Sequence, residues 1–168
     1  MIRFPSLPII AEDLGLITPE VREIMHRFGF PGMKLLLFAF GEGISTNPYI
    51  PHNHVENCVV YTGTHDNNTV KGWFEGEATP GDKERLFRYL GREISLEEAP
   101  RELMRLAMMS VAHLVVLPLQ DILGLGEEAR MNRPATVEGN WRWRVSPEQL
   151  NPSLAQKLME MAEIFGRG

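Results

Sequence analysis

The stretch Tyr61-Thr62-Gly63-Thr64-His65-Asp66-Asn67-Asn68 sets an imidazole, a carboxylate and two amides directly after the apolar run Cys58-Val59-Val60-Tyr61. Two other places share the arrangement: Glu12-Asp13 follow Leu7–Ala11, and Gln120-Asp121 follow Val115–Leu119. One carboxyl that gives a proton to a leaving oxygen, and another that attacks or stabilises a cationic sugar carbon, are the working parts of glycosidic bond chemistry. Glu12 and Asp66 are the candidate pair. Carboxylates in such positions serve equally well as helix caps or solvated loop residues, so both readings stand at this point. Trp73 and the run Asn140-Trp141-Arg142-Trp143 lie near the same loops. Sugars stack their C–H faces on aromatic rings while amides and carboxylates hold their hydroxyls. Packing of loops against the fold accounts for these rings as well, and the alternation in Trp141-Arg142-Trp143 would suit a strand.

For these residues to meet, the elements carrying them must be aligned. Four apolar runs are strand candidates: Leu7–Ala11, Met33–Phe40, Cys58–Tyr61 and Val115–Leu119. Between them lie helical patterns with clear punctuation. Thr18-Pro19 opens a helix whose Val21, Ile24, Met25 and Phe28 share a face and which Gly29 stops. Thr79-Pro80 opens a second, stopped by Gly91. Pro100 opens the most apolar one, with Leu103, Leu106, Ala107, Ser110 and Val111 on one face and His113 as a structural residue within it. Ser146 and Gln149 have capping-box spacing ahead of a C-terminal helix ending near Phe165. The segment 41–54 reads as a polar loop. Strand, loop and helix thus repeat four times, which predicts an α/β fold with parallel strands and helices outside. In such folds sites are built at the C-terminal ends of the strands, and this would bring Glu12 and Asp66 to one rim.

Composition narrows the classes. The chain has 168 residues, 43% of them hydrophobic and 23% charged, enough for one domain with a sizeable core. A formal net charge of −5 argues against nucleic acid or an anionic membrane surface as partner. Cys58 is the one cysteine and reads as a buried thiol. The N-terminal residues meet Pro5, Pro8 and two carboxylates too soon for a signal peptide, and no apolar stretch reaches the length of a membrane span, so a cytoplasmic protein is expected. His52 and His54 lack companions for a tetrahedral metal site and read as exposed turn histidines. Gly124-Leu125-Gly126 lacks the setting of a dinucleotide fingerprint. Met104, Met108 and Met109 read as core filler, and no serine has the surroundings of an activated nucleophile.

Five segments together are more specific: IIAEDLGLITPEV, FGFPGMKLLLFAF, NPYIPHN, VVYTGTHDNNTVKGW and ARMNRPATVEGNWRW. In this order they resemble the amylomaltases, the 4-α-glucanotransferases or disproportionating enzymes, from about Pro8 to the end of the chain. The resemblance implies a (β/α)8 barrel of which this chain supplies strands five to eight, so that residues 1–168 form a single partial domain. It implies Glu12 of AEDLG as general acid/base and Asp66 of GTHDN as stabiliser of the transition state. His65, Asn67, Asn140 and Trp141 become expected substrate-binding residues. The substrates implied are α-1,4-glucans and maltooligosaccharides, transferred by a retaining mechanism with no metal or organic cofactor. The family's nucleophilic aspartate, flanked by an arginine two positions before it and a histidine just after, matches nothing in this sequence, so little or no turnover is expected of the chain alone. Open sheet edges in a half barrel predict a homo-oligomer or poor solubility. A non-catalytic α-glucan-binding module, an amylase-type hydrolase and a truncation product without a role of its own are the competing expectations.

Overall fold

The computed structural model describes residues 9–168. The first strand candidate lies partly outside them, at Leu7 and Pro8. Its described remainder forms no ladder, yet it is pinned beside the sheet: Ala11 N donates to Pro31 O (2.9 Å) and Met33 N donates to the Asp13 carboxylate (2.7 Å). Helix α1 (Pro19–Phe28) follows, entered through Thr18 and Pro19 and closed by Gly29 at φ 66°. Val21, Ile24 and Phe28 form the expected apolar face, but none of the helix is buried among the described residues.

Strands β1 (Gly32–Leu35) and β2 (Cys58–Tyr61) are parallel, with Gly32 opposite Cys58 and Leu35 opposite Tyr61. Their connection contains three 3₁₀ turns, over Leu36–Phe38, Ile44–Thr46 and Pro51–Asn53, and no α-helix. The strand–loop–helix repeat therefore fails here, because Gly41, Gly43, Pro48 and Pro51 break any helical run. From β2 the chain enters a short helix α2 (Val70–Gly72), a π turn over Trp73–Glu77, then α3 (Pro80–Leu90) and α4 (Ala99–Met108). It returns as β3 (Leu114–Val116), parallel to β2 with Val116 opposite Tyr61. The short α5 (Leu119–Ile122), an irregular stretch and α6 (Pro152–Ile164) complete the chain. The sheet order is β1-β2-β3. Leu35, Tyr61 and Val116 stand in register, so everything that follows each strand emerges on one rim.

Leu36, Phe40, Ile50, Val60, Val70, Leu86, Leu103 and Leu106 form the centre of the core, with Trp73 and Phe74 closing it. Full burial of one such aliphatic side chain stabilises the fold by about 1.5–3 kcal/mol. Capping is strong at α3, where Thr79 and Asp82 exchange bonds in a capping box. At the C-terminal end of α4 the Arg167 guanidinium donates to the carbonyl of Met108, the last helical residue, and to those of Ser110 and Ala112 just beyond it.

Several local expectations change. The Met33–Phe40 run is a strand only to Leu35 and then turns as 3₁₀, because Leu35 and Leu36 are both fully buried and the run has no period to distinguish the two forms. The Val115–Leu119 strand spans Leu114–Val116, since Pro118 has no N–H for a ladder. Helix α4 ends at Met108, so His113 lies outside it and is exposed, and Val111 is 58% exposed rather than in the core. His54 is buried, not an exposed turn residue: its Nδ1 pairs with Ser110 Oγ (2.8 Å) and its Nε2 with Tyr49 O (2.9 Å). Met104 and Met108 are core residues as expected, whereas Met109 is exposed. The Ser146–Gln149 capping box closes a 3₁₀ turn, and Asn151 caps α6 itself. Trp141-Arg142-Trp143 forms no strand.

Candidate active site

A cleft of about 770 Å³ opens on the rim where the three strands end. Leu35, Tyr61 and Val116 contribute its floor, and the segments after them contribute Glu12, the loop from Gly63 to Thr69, Gln120, Asp121, Arg130 and Met131. Glu12 and Asp66 therefore face one space, as the alignment of strand ends requires. Glu12 reaches it because Ala11 is tied to Pro31, just ahead of β1, and Asp13 to Met33 within it. Gly32 is needed for that tie: a Cβ there would lie 2.6 Å from the Asp13 carboxylate.

The loop bearing His65, Asp66 and Asn67 is held at its stems, its tip and its side. Asp121 holds the stems. One of its oxygens accepts from Thr62 Oγ1, the other from Val70 N (2.7 Å), so a single carboxylate staples the residues before and after the loop. Asp121 is 1% exposed, and burial pushes its carboxyl above the usual aspartate range despite those two donors. With both oxygens engaged, it is a structural group within the cleft wall. Inside the loop, the Asn67 carboxamide oxygen reaches back to accept from Thr64 N and Thr64 Oγ1 (2.9 and 2.8 Å), a closure that leaves its amide nitrogen free of that turn.

Asp66 is exposed, and its carboxylate is aimed by a neighbour. Asn132 Nδ2 donates to Asp66 Oδ1 (2.6 Å), while His65 Nε2 lies 3.5 Å from the other oxygen. Asn132 N also donates to His65 O (3.0 Å), and Arg130 Nη2 donates to Asp66 O (2.9 Å). The imidazole of His65 lies against Trp141, ring centroids 5.2 Å apart. Trp141 adopts φ 61°, costly for a residue with a Cβ, and its N–H donates to Met131 O (2.6 Å). Asn140 is committed within its own loop: its oxygen accepts from Arg133 N and its nitrogen donates to Thr136 O and Oγ1. Asn140 and Trp141 do not line the cleft; Trp141 meets it through His65. Trp73 belongs to the core.

Sequence reasoning gave no role to Arg130 and Asn132, although they lie in the recognisable ARMN segment. Their only local signal is a pair of polar residues flanking Met131 after a Gly-rich turn, which is too common to single out. Gln120 and Asp121 were visible as polar residues at a strand end, but not as the staple of another loop. Among the described residues no helix is long and apolar enough to cross a membrane, and no three His, Cys, Asp or Glu side chains gather.

Comparison with known proteins gives one answer. The family model described as 4-alpha-glucanotransferase matches residues 2–151. A 4-alpha-glucanotransferase of Thermus thermophilus is 51% identical over 172 residues, covering 98% of this chain and 34% of that protein. One from Synechocystis is 51% identical over 163 residues, 96% of this chain and 32% of that protein. The chain thus spans about a third of the length of the curated relatives it matches. Among solved structures, the amylomaltase of Streptococcus agalactiae in complex with acarbose superimposes with a TM-score of 0.91 at 37% identity, over 98% of this chain and 33% of that one. A parallel α/β fold, a cleft bearing Glu12 and Asp66 on one rim and a family match over most of its length lead to one conclusion: the chain belongs to the 4-alpha-glucanotransferase family.

Proposed function

We propose that this chain carries the acid/base and the transition-state stabiliser of a retaining 4-α-glucanotransferase acting on α-1,4-glucans and maltooligosaccharides. The observation that carries the reading is the shared cleft: Glu12 and Asp66 line the same space. Glu12 would give its proton to the glycosidic oxygen as the bond to the anomeric carbon breaks. It would later take the proton of an acceptor 4-hydroxyl as that oxygen attacks the same carbon. Asp66, its Oδ1 held by Asn132, would keep an oxygen for sugar hydroxyls and offset the positive charge that develops on the ring. His65 and the free amide nitrogen of Asn67 would bind hydroxyls on the same sugar. Trp141 would support His65 from behind, and Asn140 would fix the loop that presents Trp141.

A covalent intermediate requires a further carboxylate. Asp121 lines the cleft, but its two engaged oxygens and 1% exposure disqualify it as the attacking group. The nucleophile would come from another part of a (β/α)8 barrel in which β1, β2 and β3 are consecutive C-terminal strands. The same partner part would cover α1 and the cleft side of β3, where Phe28 (63%), Leu114 (48%) and Val116 (38%) are exposed. Maltotriose incubated with the chain should accordingly release no glucose, while acarbose, the ligand of the Streptococcus agalactiae relative, should bind and lose affinity in Asp66→Asn. Failure of acarbose to bind the wild-type chain would remove the support for a glucan site. Glucose release abolished by Glu12→Gln would show that a nucleophile is already present.

A further inference from the structure

We propose that Arg130 is a positioning residue for Asp66, fixing the distance between the Asp66 carboxylate and the amide that aims it. The bond in question runs from Asn132 Nδ2 to Asp66 Oδ1. Arg130 holds both of its ends through their main chains: Nη2 donates to Asp66 O and Nε donates to Asn132 O, each at 2.9 Å. A guanidinium is planar and rigid, so two bonds from its fork set the spacing of the two carbonyls rather than merely attracting them. The third nitrogen, Nη1, donates to Glu77 Oε1 (2.9 Å), and that oxygen also accepts from Asn68 Nδ2 (3.0 Å) at the far side of the same loop.

A bland surface ion pair would not have these features. Exposed Arg–Glu pairs contribute little to stability, and their side chains remain mobile. The Arg130 side chain is 13% exposed and has a separate acceptor for each of its three nitrogens. Its main chain is anchored as well: it follows Ala129, which is 1% exposed and whose carbonyl accepts from Gln120 Nε2. Glu77 reaches the guanidinium from the last position of the π turn, a rare conformation that is frequent at functional sites. The two anchors of Arg130 thus lie outside the Asp66 loop, and the residues it orients lie within that loop or beside it. Lysine would keep the charge but not the fork.

The inference rests on the reading of Asp66 as a working carboxylate, and the test separates the two. Amide hydrogen exchange of the whole chain, resolved by NMR, is compared for wild type, Arg130→Lys, Arg130→Gln and Glu77→Ala. Loss of charge-assisted bonds should open the loop locally, so the Asn67 and Asn132 amides should exchange about ten-fold or more faster in both Arg130 variants. Glu77→Ala should move the same amides by a smaller factor. The β2 amides of Val59 and Val60 should keep their wild-type rates. Unchanged exchange at Asn67 and Asn132 would overturn the proposal. So would acceleration of the β2 amides in parallel, since Arg130 would then support the whole fold and not this loop. Acarbose binding is measured on the same samples. Loosened loop amides without any acarbose binding by wild type would leave the positioning geometry standing and remove the glucan reading. Acarbose binding that Arg130→Gln leaves at wild-type strength would overturn the positioning role.

Discussion

Replacing Asp121 by alanine removes the staple across the Asp66 loop, and its cost follows from the groups left behind. Val70 N–H and Thr62 Oγ1 are both donors in fully buried residues, and Asp121 is the acceptor recorded for each. A buried donor without a partner costs about 1–3 kcal/mol. Against this, removing a buried carboxylate recovers its own desolvation penalty, which is large enough to raise its pKa. The net expectation for Asp121→Ala is a loss of about 2–4 kcal/mol at neutral pH. Asp121→Asn keeps an oxygen for Val70 N–H and presents an amide to Thr62 Oγ1, which can accept, so its cost should stay within about 1 kcal/mol. The two variants also differ in pH dependence. The folded carboxyl titrates above the ordinary aspartate value of 3.8, so the folded state holds the proton more tightly than the unfolded one. Wild-type stability is therefore lost as pH rises from that value through the folded pKa, and Asp121→Asn, which has no such proton, should gain on wild type over the same window. Urea unfolding followed by circular dichroism, at about pH 4 and about pH 7, measures both effects. A cost below about 0.5 kcal/mol for Asp121→Ala would refute the staple. An Asp121→Asn variant that falls further behind wild type as pH rises would refute the sign of the carboxylate's contribution.

Other perturbations test the remaining supports. Gly32→Ala forces a Cβ to within 2.6 Å of the Asp13 carboxylate, so the bond to Met33 N should break, at a cost of about 1–3 kcal/mol measured by urea titration, with the NMR signals of Glu12 and Asp13 displaced. Leu103→Ala empties a fully buried position in the core and should cost about 2–5 kcal/mol by the same titration. Burial holds the His54 imidazole below its ordinary pKa of 6.5, so the unfolded chain binds the proton more readily. Stability should therefore fall as pH drops from 6.5 through the folded value, and His54→Gln should flatten that slope; an unchanged slope in the variant would assign it elsewhere.

The legible features were those written in local chemistry. Thr18-Pro19 with Gly29, and Thr79-Pro80 with Gly91, mark helix ends through caps and fixed dihedrals that depend on neighbours in sequence, and both helices fall within a residue of expectation. The strand Cys58–Tyr61 was equally plain, because β-branched and aromatic residues there are bounded by turn formers. Glu12 and Asp66 share one cleft as the expected parallel topology implied, although Glu12 is held there by the bonds of Ala11 and Asp13 and not by a strand of its own. What stayed hidden depends on contacts between distant segments. Nothing near His54 announces Ser110, 2.8 Å from its ring, and so a buried histidine read as an exposed one. The all-apolar run Leu35–Leu37 could not say where strand gives way to 3₁₀ turn, since packing on every side erases periodicity. Arg130 and Asn132 act on Asp66 across more than sixty positions, and only the fold brings them together.

The π turn at Trp73–Glu77 sets a limit on how this stretch can change in length. Its closing bond runs from Ala78 N to Trp73 O, one residue wider than an α-helical turn. Such a turn amounts to a single residue inserted into an α-helix, so one deletion among Phe74, Glu75 and Gly76 would restore regular winding and leave α2 longer. The same deletion would rotate the Glu77 carboxylate by about 100° around the helix axis, away from Arg130 and Asn68. Substitutions on the exposed side, at Glu75 or Gly76, carry no such penalty because both residues are exposed and a Cβ at Gly76 would meet nothing. At Glu75 and Gly76 the chain can thus vary in composition while the length from Thr69 to Ala78 stays fixed: the spare residue is a spacer that delivers Glu77 to the loop of Asp66.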